Sequence, residues 1–398
     1  MRIGINASFC RKPYSGIGQV TINFLKKLIT EEAKNLPTGQ AGIKQKNNLE
    51  FILYLEEDLP ADFVLPENFQ KKIFLPIYRR DDLIRKIWWE KYLLPRRVKK
   101  DKCDLFFSLY QCPTILKKGT KHLMLVHDIV PSLFPKYLNN ARKRQYQILT
   151  ERAIEQADKV LTVSKRTEKD LVQYLNITAD RISTSYISVD ELYKKPATLE
   201  NSRKVLKKYK LSPGYIFAGG GMEIRKNIDG VIQAYKLLLE KNKNLQFVET
   251  IPRLVIYGKL QPNLSLAIDA EKLVKELNLT KYVKFLGAVP QEHLPALFKN
   301  ALFFIYPSHY EGFGMPVLEA MNQGTPVITA KNSSLPEVGL DATLYCHADD
   351  TREVSLVMKK VLTDAHLRDV LSQRGRERAK FFSWDKFVGR FYNIIQNH

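Results

Sequence analysis

The chain has 398 residues, of which 44% are hydrophobic, and its Lys+Arg 63 exceed its Asp+Glu 42 to give a net charge of +21. This length is too great for one ordinary core and predicts two domains, while the composition is that of a globular protein. No stretch approaches the roughly 20 apolar residues of a membrane span, and the four cysteines form no CxxC pair, which disfavours a zinc site or a disulfide framework.

The first ten residues, MRIGINASFC, begin directly as a strand and lack the pattern of a secretion signal. A reducing cytosol is therefore the compartment that we expect. The positive charge is compatible with an acidic partner, such as nucleic acid, anionic lipid or a phosphorylated substrate, and also with a solvated basic surface. Nucleic acid is disfavoured as a partner, because no helix-turn-helix, RNP or zinc pattern occurs.

Short apolar runs alternate with helical patterns in the first half. One helical pattern begins at Gly18, another covers roughly 139–157, and the polar segment 34–48 is predicted to be a flexible insertion. The predicted strands are RIGINAS (2–8), FILYL (51–55), KIFLP (72–76), DLFFS (104–108), HLMLV (122–126) and KVLTVS (159–164).

The second half repeats this alternation, which predicts two doubly wound domains with parallel sheets covered on both faces. The polar stretch 193–213 is predicted to join them, and the C-terminal FFSWDKFVGRFYNIIQ is predicted to be an amphipathic helix. The predicted strands are YIFAGG (215–220), RLVIYG (253–258), VKFLG (283–287), LFFIYPS (302–308) and PVITA (326–330).

Ligands of doubly wound sheets bind beyond the carboxyl ends of the strands, so the loops there are candidate sites. Gly16 and Gly18 follow the first strand, where glycine permits close backbone approach and a helix N-terminus favours an anion. A tight structural turn would use the same glycines. His127, in VHDIVP, is a candidate hydrogen-bond donor or proton carrier, and a structural histidine that holds the loop is the alternative.

The loop AGGGMEIRKN combines glycines 219–221 with Arg225 and Lys226 near the start of the next helix. Backbone N–H groups, a helix N-terminus and two cations suit a diphosphate. The alternative is an ordinary surface Arg-Lys pair. The loop is not a Walker motif, because GxxxxGK[ST] is absent.

The stretch EGFGMPVLEAMNQGTP leaves the predicted strand LFFIYPS and enters a helix, since Pro316 suits a first turn. The N–H groups near Gly314 and Met315 would then point at a ligand. Glu311 precedes the turn and Glu319 lies about one turn into the helix. Because each carboxylate accepts two hydrogen bonds, the pair is predicted to hold two polyhydroxylated ends of one anionic ligand.

The motifs E311-x7-E319, SSLPEV, GMEIRKN, RLVIYG and VKFLGAVPQEHLPALFKNA, with SGIG and VHDIVP before them, resemble the retaining glycosyltransferases of family 4 over nearly the whole chain. The segments IWWEKYLLP, DLFFS and HDIVPSLFP are similar to those of bacterial mannosyltransferases of surface polysaccharide assembly. The resemblance implies an α/β GT-B fold of two Rossmann-like domains facing across a cleft, an acceptor-side domain at 1–198 and a nucleotide-sugar-binding domain at 199–380. A C-terminal helix at 381–398 would pack back on the first domain.

The resemblance also implies roles for the candidate residues. Glu319 would bind the ribose hydroxyls of a nucleotide-sugar donor, and Glu311 would contact the transferred sugar beside His127. Arg225 and Lys226 would hold the diphosphate. Phosphate binding would depend more on these two residues than in many members of the family, because Gly220 stands where those members carry arginine. The backbone would supply the other donor contacts, at Gly16 and Gly18 over the phosphates, at Gly287 and Val289 near the base, and at Gly219, Gly312, Phe313, Gly314 and Met315.

The implied activity is a hexosyl transfer that retains configuration and needs neither a metal nor another cofactor. GDP-mannose is the favoured donor, UDP-glucose and UDP-N-acetylglucosamine are alternatives, and the acceptor is a glycan or a lipid-linked sugar. A nucleotide-sugar epimerase of the same fold is the rival of another class. A Rossmann oxidoreductase is disfavoured because GxGxxG is missing.

The basic segment 78–102 contains DDLIRKIWWEKYLLPRRVKK and is a candidate contact with an anionic membrane surface. Trp88 and Trp89 would then lie at the lipid interface. The alternative is a helix packed under the sheet with its tryptophans inward. With the membrane contact, the protein would be cytoplasmic and peripheral on the inner face of the membrane.

Overall fold

The computed structural model describes residues 1–35, 49–77, 82–241, 251–259 and 266–396, so most of the insertion predicted at 34–48 lies outside the described residues. The chain divides into two compact units. Unit 1 comprises Met1–Ser188 and Ser383–His398, and unit 2 comprises Val189–Phe382. Unit 1 therefore ends ahead of the division predicted between 198 and 199.

Unit 1 is built on a parallel seven-stranded sheet in the order β3-β2-β1-β4-β5-β6-β7. The strand predicted at 72–76 was placed wrongly, because the sheet edge pairs Phe69 with Phe51 and leaves the polar residues of β3 exposed, without an apolar run to mark them. The strands are β1 (Arg2–Asn6), β2 (Glu50–Leu55), β3 (Phe69–Ile73), β4 (Leu105–Ser108), β5 (Lys121–Val126), β6 (Lys159–Thr162) and β7 (Ile182–Thr184).

Unit 2 has a parallel six-stranded sheet in the order β10-β9-β8-β11-β12-β13. Three of its inner strands, Tyr215–Gly219, Leu254–Tyr257 and Val327–Ala330, are mainly apolar and buried along their whole length, as expected for a sheet covered on both faces. The strands are β8 (Tyr215–Gly219), β9 (Leu254–Tyr257), β10 (Val283–Gly287), β11 (Ala301–Tyr306), β12 (Val327–Ala330) and β13 (Leu344–Cys346).

The α-helices connect and cover the strands, and the last one returns the chain to unit 1. In unit 1 they are α1 (Gly16–Asn35), α2 (Asp82–Trp88), α3 (Leu94–Lys100), α4 (Val130–Leu133), α5 (Ala141–Gln156) and α6 (Lys165–Leu175). In unit 2 they are α7 (Glu191–Lys194), α8 (Leu199–Tyr209), α9 (Ile228–Lys241), α10 (Ala270–Glu276), α11 (Leu294–Lys299), α12 (Met315–Asn322), α13 (Leu335–Gly339), α14 (Thr351–Thr363) and α15 (Ala365–Ala379). The final helix is α16 (Trp384–Gln396).

Helix α16 packs its apolar face on α1 and on the sheet of unit 1. Phe24 of α1 meets Phe387 and Phe391 edge-on, with ring centroids 5.7 and 5.5 Å away. Phe391 also stacks on Phe107 of β4, at a centroid distance of 5.2 Å. Lys27 forms an ion pair with Asp385 at the rim of this contact. These contacts explain why residues after Ser383 belong to unit 1.

Each sheet has one point where the strand order reverses, and the connections leave it in opposite directions. In unit 1 this point lies between β1 and β4, and in unit 2 it lies between β8 and β11. The loops that follow such strand pairs form a crevice at the carboxyl edge of the sheet, which is where doubly wound domains bind ligands. These two crevices, one in each unit, are therefore the places to look for function.

Candidate functional site

The crevice of unit 2 brings together two loops that are far apart in sequence. The loop after β8 carries Arg225 and Lys226 in a short 3-10 turn that ends just before α9 begins. The loop after β11 carries Glu311 ahead of α12. Asn227 ties the first loop to the second, since its side-chain amide donates to the Pro307 carbonyl at 3.1 Å. The predicted cation and carboxylate positions thus lie in one polar cluster.

Four side chains converge on one carboxylate oxygen, Oε1 of Glu311. Lys226 Nζ donates to it at 2.7 Å, and the Arg225 guanidinium forms an ion pair with it at 3.0 Å. The Tyr306 hydroxyl donates to it at 2.7 Å, and Ser308 Oγ lies 2.8 Å away. Lys226 Nζ also donates to the Tyr306 hydroxyl at 2.5 Å. The carboxylate is therefore held in a fixed position between two cations and two hydroxyls.

The cluster is buried, and burial sets its electrostatics. The side chains of Lys226 and Glu311 are each 9% exposed. Burial alone would raise the pKa of Glu311, but Lys226 and Arg225 outweigh it and lower that pKa to about 2. Burial lowers the pKa of Lys226, whereas Glu311 opposes the change. Glu311 is thus an anion at neutral pH, and its ion pair with Lys226 is largely shielded from water.

We expect Glu311→Gln to be less stable than the wild type at neutral pH. The pKa of the Glu311 carboxyl is lowered in the folded state, so the ionised carboxylate stabilises the wild type above pH 4.5, and this stabilisation is lost as the pH falls toward 2. The shift corresponds to about 3 kcal/mol. The difference in melting temperature between wild type and variant should be large at pH 7 and shrink as the pH falls through this window. The exposed Glu271→Gln is the control, and a Glu311→Gln difference that does not change with pH would contradict the assignment.

The segment between Glu311 and α12 is shaped by a glycine in the left-handed region. Gly314 has φ +109°, and a Cβ there would lie 2.9 Å from Leu335 Cδ2, so another residue would be both strained and crowded. Met315 opens α12 and Pro316 follows in its first turn. Phe313 is buried against the ring of Phe382. The turn at Gly314 and the start of α12 at Met315 thus lie where the sequence predicts them.

Glu319 lies in the second turn of α12 and is 5% exposed. Burial, and then the nearby Asp190, raise its pKa to about 8, whereas a hydrogen bond with the Tyr193 hydroxyl and the charge of Lys226 oppose the rise. Gln323 of the next turn fixes the same segment, since its side-chain amide donates to the Tyr193 carbonyl at 2.6 Å. Glu319 is therefore a largely neutral carboxyl at pH 7 in the free protein.

The other unit 2 residues that were predicted to contact the nucleotide-sugar donor lie at the same carboxyl edge of the sheet. Gly219 ends β8, and Gly287 ends β10, where its carbonyl accepts from the Gly258 N–H at 2.8 Å. Val289 is half-buried, two residues beyond β10. Gly312 lies buried next to Glu311. These positions lie beside the loops that carry Arg225, Lys226 and Glu311.

Gly16, Gly18 and His127 belong to unit 1. Gly18 has a structural reason to be glycine, because a Cβ there would lie 1.9 Å from the Lys12 carbonyl oxygen. Gly16 opens α1 and faces open space. His127 is 8% exposed, and its Nε2–H donates to the Leu109 carbonyl at 2.9 Å. Burial lowers the pKa of the imidazole. The structure thus shows His127 holding the loops after β4 and β5.

Sequence reasoning missed three residues that complete the unit 2 cluster. Tyr306 and Ser308 contact Glu311 directly, and Tyr193 contacts Glu319. The signal for the first two was present, since both lie at the end of β11, within five residues of Glu311. Tyr193 is more than one hundred residues from Glu319 in sequence, and only the fold brings the two together. Among the residues that the structure describes, no group of three or more His, Cys, Asp or Glu is placed to hold a metal ion.

Trp88 lies at the surface of unit 1, whereas the adjacent Trp89 lies in its core. Trp89 is fully buried, stacks on Phe74 and donates its indole N–H to the Phe74 carbonyl at 2.9 Å. The prediction that both tryptophans reach a lipid interface was therefore wrong for Trp89, because its side chain packs into the core of unit 1 beside Phe74. Trp88 is 52% exposed. No helix in the described part of the chain is long and apolar enough to cross a bilayer.

Comparison with known proteins shows which families the chain resembles. Residues 52–191 match the family described as Glycosyltransferase Family 4, and residues 200–378 match Glycosyl transferases group 1. The Escherichia coli O-antigen chain mannosyltransferase B is 31% identical over 390 residues, which cover 96% of each chain.

Two solved structures share the fold along the full length of the chain. WaaG, a glycosyltransferase involved in lipopolysaccharide biosynthesis, superposes with a TM-score of 0.74 at 16% identity, covering 100% of both chains. Anabaena HepE in complex with UDP-glucose superposes with a TM-score of 0.69 at 15% identity, covering 100% of this chain and 99% of that one. At these identities the structural likeness establishes the fold and nothing finer.

Proposed function

Since this chain belongs to glycosyltransferase family 4 and is a hexosyltransferase with the GT-B fold, we propose that it transfers mannose from GDP-mannose to a glycan or lipid-linked sugar with retention of configuration. The observation that carries the proposal is the Glu311, Arg225 and Lys226 cluster at the strand-order reversal of unit 2. The choice of mannose is supported by the similarity to the Escherichia coli mannosyltransferase.

The proposed chemistry follows from the charges of the cluster. The bond between the sugar and the diphosphate opens, and negative charge accumulates on the leaving diphosphate. Arg225 and Lys226 would stabilise that charge, in a site where burial strengthens the interaction. Glu311 would position the transferred sugar, and Glu319 would accept hydrogen bonds from the ribose hydroxyls. No metal or other cofactor is proposed, because the two cations supply the positive charge that the leaving group needs.

We expect GDP to raise the melting temperature of the protein, and UDP and ADP to raise it less, because a ligand that binds only the folded state stabilises it. At a GDP concentration one hundred times Kd, the gain is about 2.7 kcal/mol, or roughly 5 °C or more for a unit of this size. The shift should persist in EDTA. A larger shift with UDP would favour the UDP-sugar alternatives, and no shift with any nucleotide would refute the donor site.

Product analysis separates the remaining alternatives. With GDP-mannose and an acceptor, the proposed enzyme forms a new α-glycosidic bond, because retention preserves the configuration of the donor. A β-linked product would refute retention. An epimerase would instead change the donor sugar in the absence of any acceptor, and would leave the acceptor unmodified.

We also propose that part of the segment 78–102 contacts an anionic membrane surface. Trp88 and Tyr92 are exposed and lie near each other, with ring centroids 5.8 Å apart. The exposed bases Arg96, Lys99 and Lys100 follow on the same helical segment. Exposed aromatic rings beside lysine and arginine suit the boundary of anionic lipids.

We expect the protein to float with phosphatidylglycerol-containing liposomes at low salt, since each Lys or Arg near an anionic membrane surface contributes about 1 kcal/mol. Binding should be lost in 0.5 M salt, because salt screens this attraction. Trp88→Ala should weaken binding severalfold. Phe381→Ala, which removes an exposed aromatic ring from unit 2, is the matched control. Equal flotation of Trp88→Ala and wild type would contradict this contact.

A further inference from the structure

Tyr193 places a buried hydroxyl group beside Glu319 in unit 2. The residue lies on α7 and is fully buried, and its ring packs against Phe298 of α11 with the ring centroids 6.4 Å apart. Phenylalanine has the same ring and would serve the packing equally well. A buried hydroxyl costs free energy unless it is hydrogen-bonded, so the partners of this hydroxyl indicate its role.

The backbone that carries Tyr193 is bonded to the helix that carries Glu319. Gln323 lies one turn after Glu319 on α12, and its side-chain amide donates to the Tyr193 carbonyl at 2.6 Å. The same amide donates to the Lys195 carbonyl at 3.1 Å, and the side-chain oxygen accepts from the Ala197 N–H at 3.0 Å. Residues i and i+4 lie on one face of a helix, so these bonds hold Tyr193 opposite Glu319.

The Tyr193 hydroxyl has two acceptors within reach and one hydrogen to donate. One acceptor is the Glu319 carboxyl, with which it forms a hydrogen bond. The other is Oε1 of Gln291, in the 3-10 turn after β10, at 3.4 Å. This second bond is weak, because an ordinary O–H···O bond measures about 2.5–3.0 Å. Rotation about the phenol C–O bond is therefore enough to turn the hydrogen from Gln291 to Glu319.

Titratable and charged groups from three elements face the Glu319 carboxyl. Burial, and then Asp190 at the start of α7, raise its pKa to about 8, whereas the Tyr193 hydrogen bond and the charge of Lys226 oppose the rise. Tyr257 of β9 also faces it, and burial followed by the charge of Glu319 raises the pKa of that phenol well above its usual value. The same two causes raise the pKa of Tyr193. Both phenols therefore keep their hydrogens while the carboxyl titrates.

The two protonation states of Glu319 use the phenol hydrogen differently. A neutral carboxyl can donate its own hydrogen to the Tyr193 oxygen, which leaves the phenol hydrogen for Gln291. An ionised carboxylate can only accept, and it attracts the phenol hydrogen because a hydrogen bond to a charged group is about twice as strong as a neutral one. Tyr193 thus favours and orients the ionised form, in which both carboxylate oxygens can accept from ligand hydroxyls.

We propose that Tyr193 is a positioning residue for nucleotide-sugar binding, whose hydroxyl donates to Gln291 in the free protein and to Glu319 when the ribose hydroxyls bind. The inference rests on the proposed function, since it needs Glu319 to accept those hydroxyls. The carboxyl proton passes to the solvent on binding. Loss of the Tyr193 hydroxyl makes that proton harder to remove, so it should weaken binding at neutral pH and have little effect at alkaline pH, where the carboxyl is already ionised.

The test is calorimetric titration of the whole chain with GDP over a range of pH. Tyr193→Phe removes the hydroxyl and keeps the ring. We expect its Kd for GDP to be about tenfold higher than that of the wild type at pH 7 and within about twofold at pH 9.5, with the midpoint of the affinity profile about one pH unit higher. The matched control is Tyr235→Phe on α9, whose buried hydroxyl donates to the Pro252 carbonyl at 2.9 Å. The control variant should bind GDP like the wild type at both pH values.

A double-mutant cycle shows whether Tyr193 acts through Glu319. In a Glu319→Ala background, Tyr193→Phe should change the Kd for GDP at pH 7 by less than about twofold, because the carboxyl that the hydroxyl serves is absent. A loss of affinity that is the same at both pH values, or that persists in this background, would show a merely structural role and overturn the proposal. Equal Kd values of Tyr193→Phe and wild type at pH 7 would overturn it too.

Failure of the proposed function has a different signature, because the wild type would then bind no nucleotide at any pH, and the inference would fall with it. If Tyr193→Phe proves unstable, site-specific replacement of Tyr193 by 3-fluorotyrosine decides. The ring keeps its hydroxyl, and fluorine makes that hydroxyl a stronger hydrogen-bond donor. Affinity for GDP at pH 7 should then increase, and an unchanged or weaker affinity would contradict the proposed role of Tyr193.

Discussion

Lys226→Ala should reduce kcat by a hundredfold or more while the KM for the donor changes less than tenfold. Lys226 is the most buried cation of the Glu311 cluster, and in the proposed reaction the negative charge on the diphosphate grows as the transition state forms. An interaction that strengthens in the transition state raises kcat more than it improves ground-state binding. Removal of one such preorganised group typically costs about 10²–10³ in kcat.

The measurement is initial-rate kinetics over a range of donor concentrations, with the melting temperature of each variant recorded. Lys236→Ala on α9 is the control, because it removes a lysine from the same unit whose side chain is 36% exposed. Lys226→Ala also leaves Glu311 buried with fewer partners, so some loss of stability is expected. Lys226→Arg restores the charge and should recover part of the rate. A kcat within threefold of wild type for Lys226→Ala would remove Lys226 from the mechanism.

Glu319→Ala should weaken donor binding about tenfold to a hundredfold, and it should abolish a pH dependence that the wild type shows. Hydrogen bonds to a charged group contribute about 1.5–3 kcal/mol, and the proposed role of Glu319 is to accept the ribose hydroxyls as a carboxylate. In the free protein its pKa is about 8. The carboxyl must therefore lose a proton when the donor binds at pH 7.

The sign of the pH effect follows from that pKa. Below pH 8 the neutral form of Glu319 predominates, so donor affinity should increase by up to tenfold per pH unit between pH 6 and 8, and level off above it. Calorimetry at pH 7 in Tris and in phosphate should show enthalpies that differ because a proton is released to the buffer. The exposed Glu292→Gln should bind like wild type. Equal enthalpies in both buffers, together with an unchanged Kd for Glu319→Ala, would contradict the ribose assignment.

The same carboxyl should also affect stability in the absence of a ligand. The pKa of Glu319 is raised on folding, from 4.5 to about 8, so the folded protein binds more protons than the unfolded chain across that interval. The contribution of Glu319 to the free energy of unfolding is therefore highest below pH 4.5 and declines as the pH rises toward 8. This is opposite to the behaviour of Glu311, although the two residues belong to one motif.

Several features of the fold could be predicted from sequence because they depend on local composition. The central strands are continuous apolar runs, which only a sheet covered on both faces can accommodate. The strands at the edges of the two sheets could not be predicted in the same way. β3 presents polar residues to solvent, and β7 and β13 are three residues each, so neither an apolar run nor an alternation marks them.

The sequence by itself determined the two doubly wound domains, the turn at Gly314, the positions of Glu311, Arg225 and Lys226 in loops that follow strands, and the position of Glu319 in the helix after the turn. Periodicity, glycine and spacing are properties of the chain. Only the tertiary structure decided which groups each carboxyl meets. Glu311 meets two cations and Glu319 meets Tyr193 and Asp190, so burial acts on both while their neighbours move the two pKa values in opposite directions. The fold likewise brings the Tyr193 hydroxyl to Gln291, which is 98 residues away in the sequence.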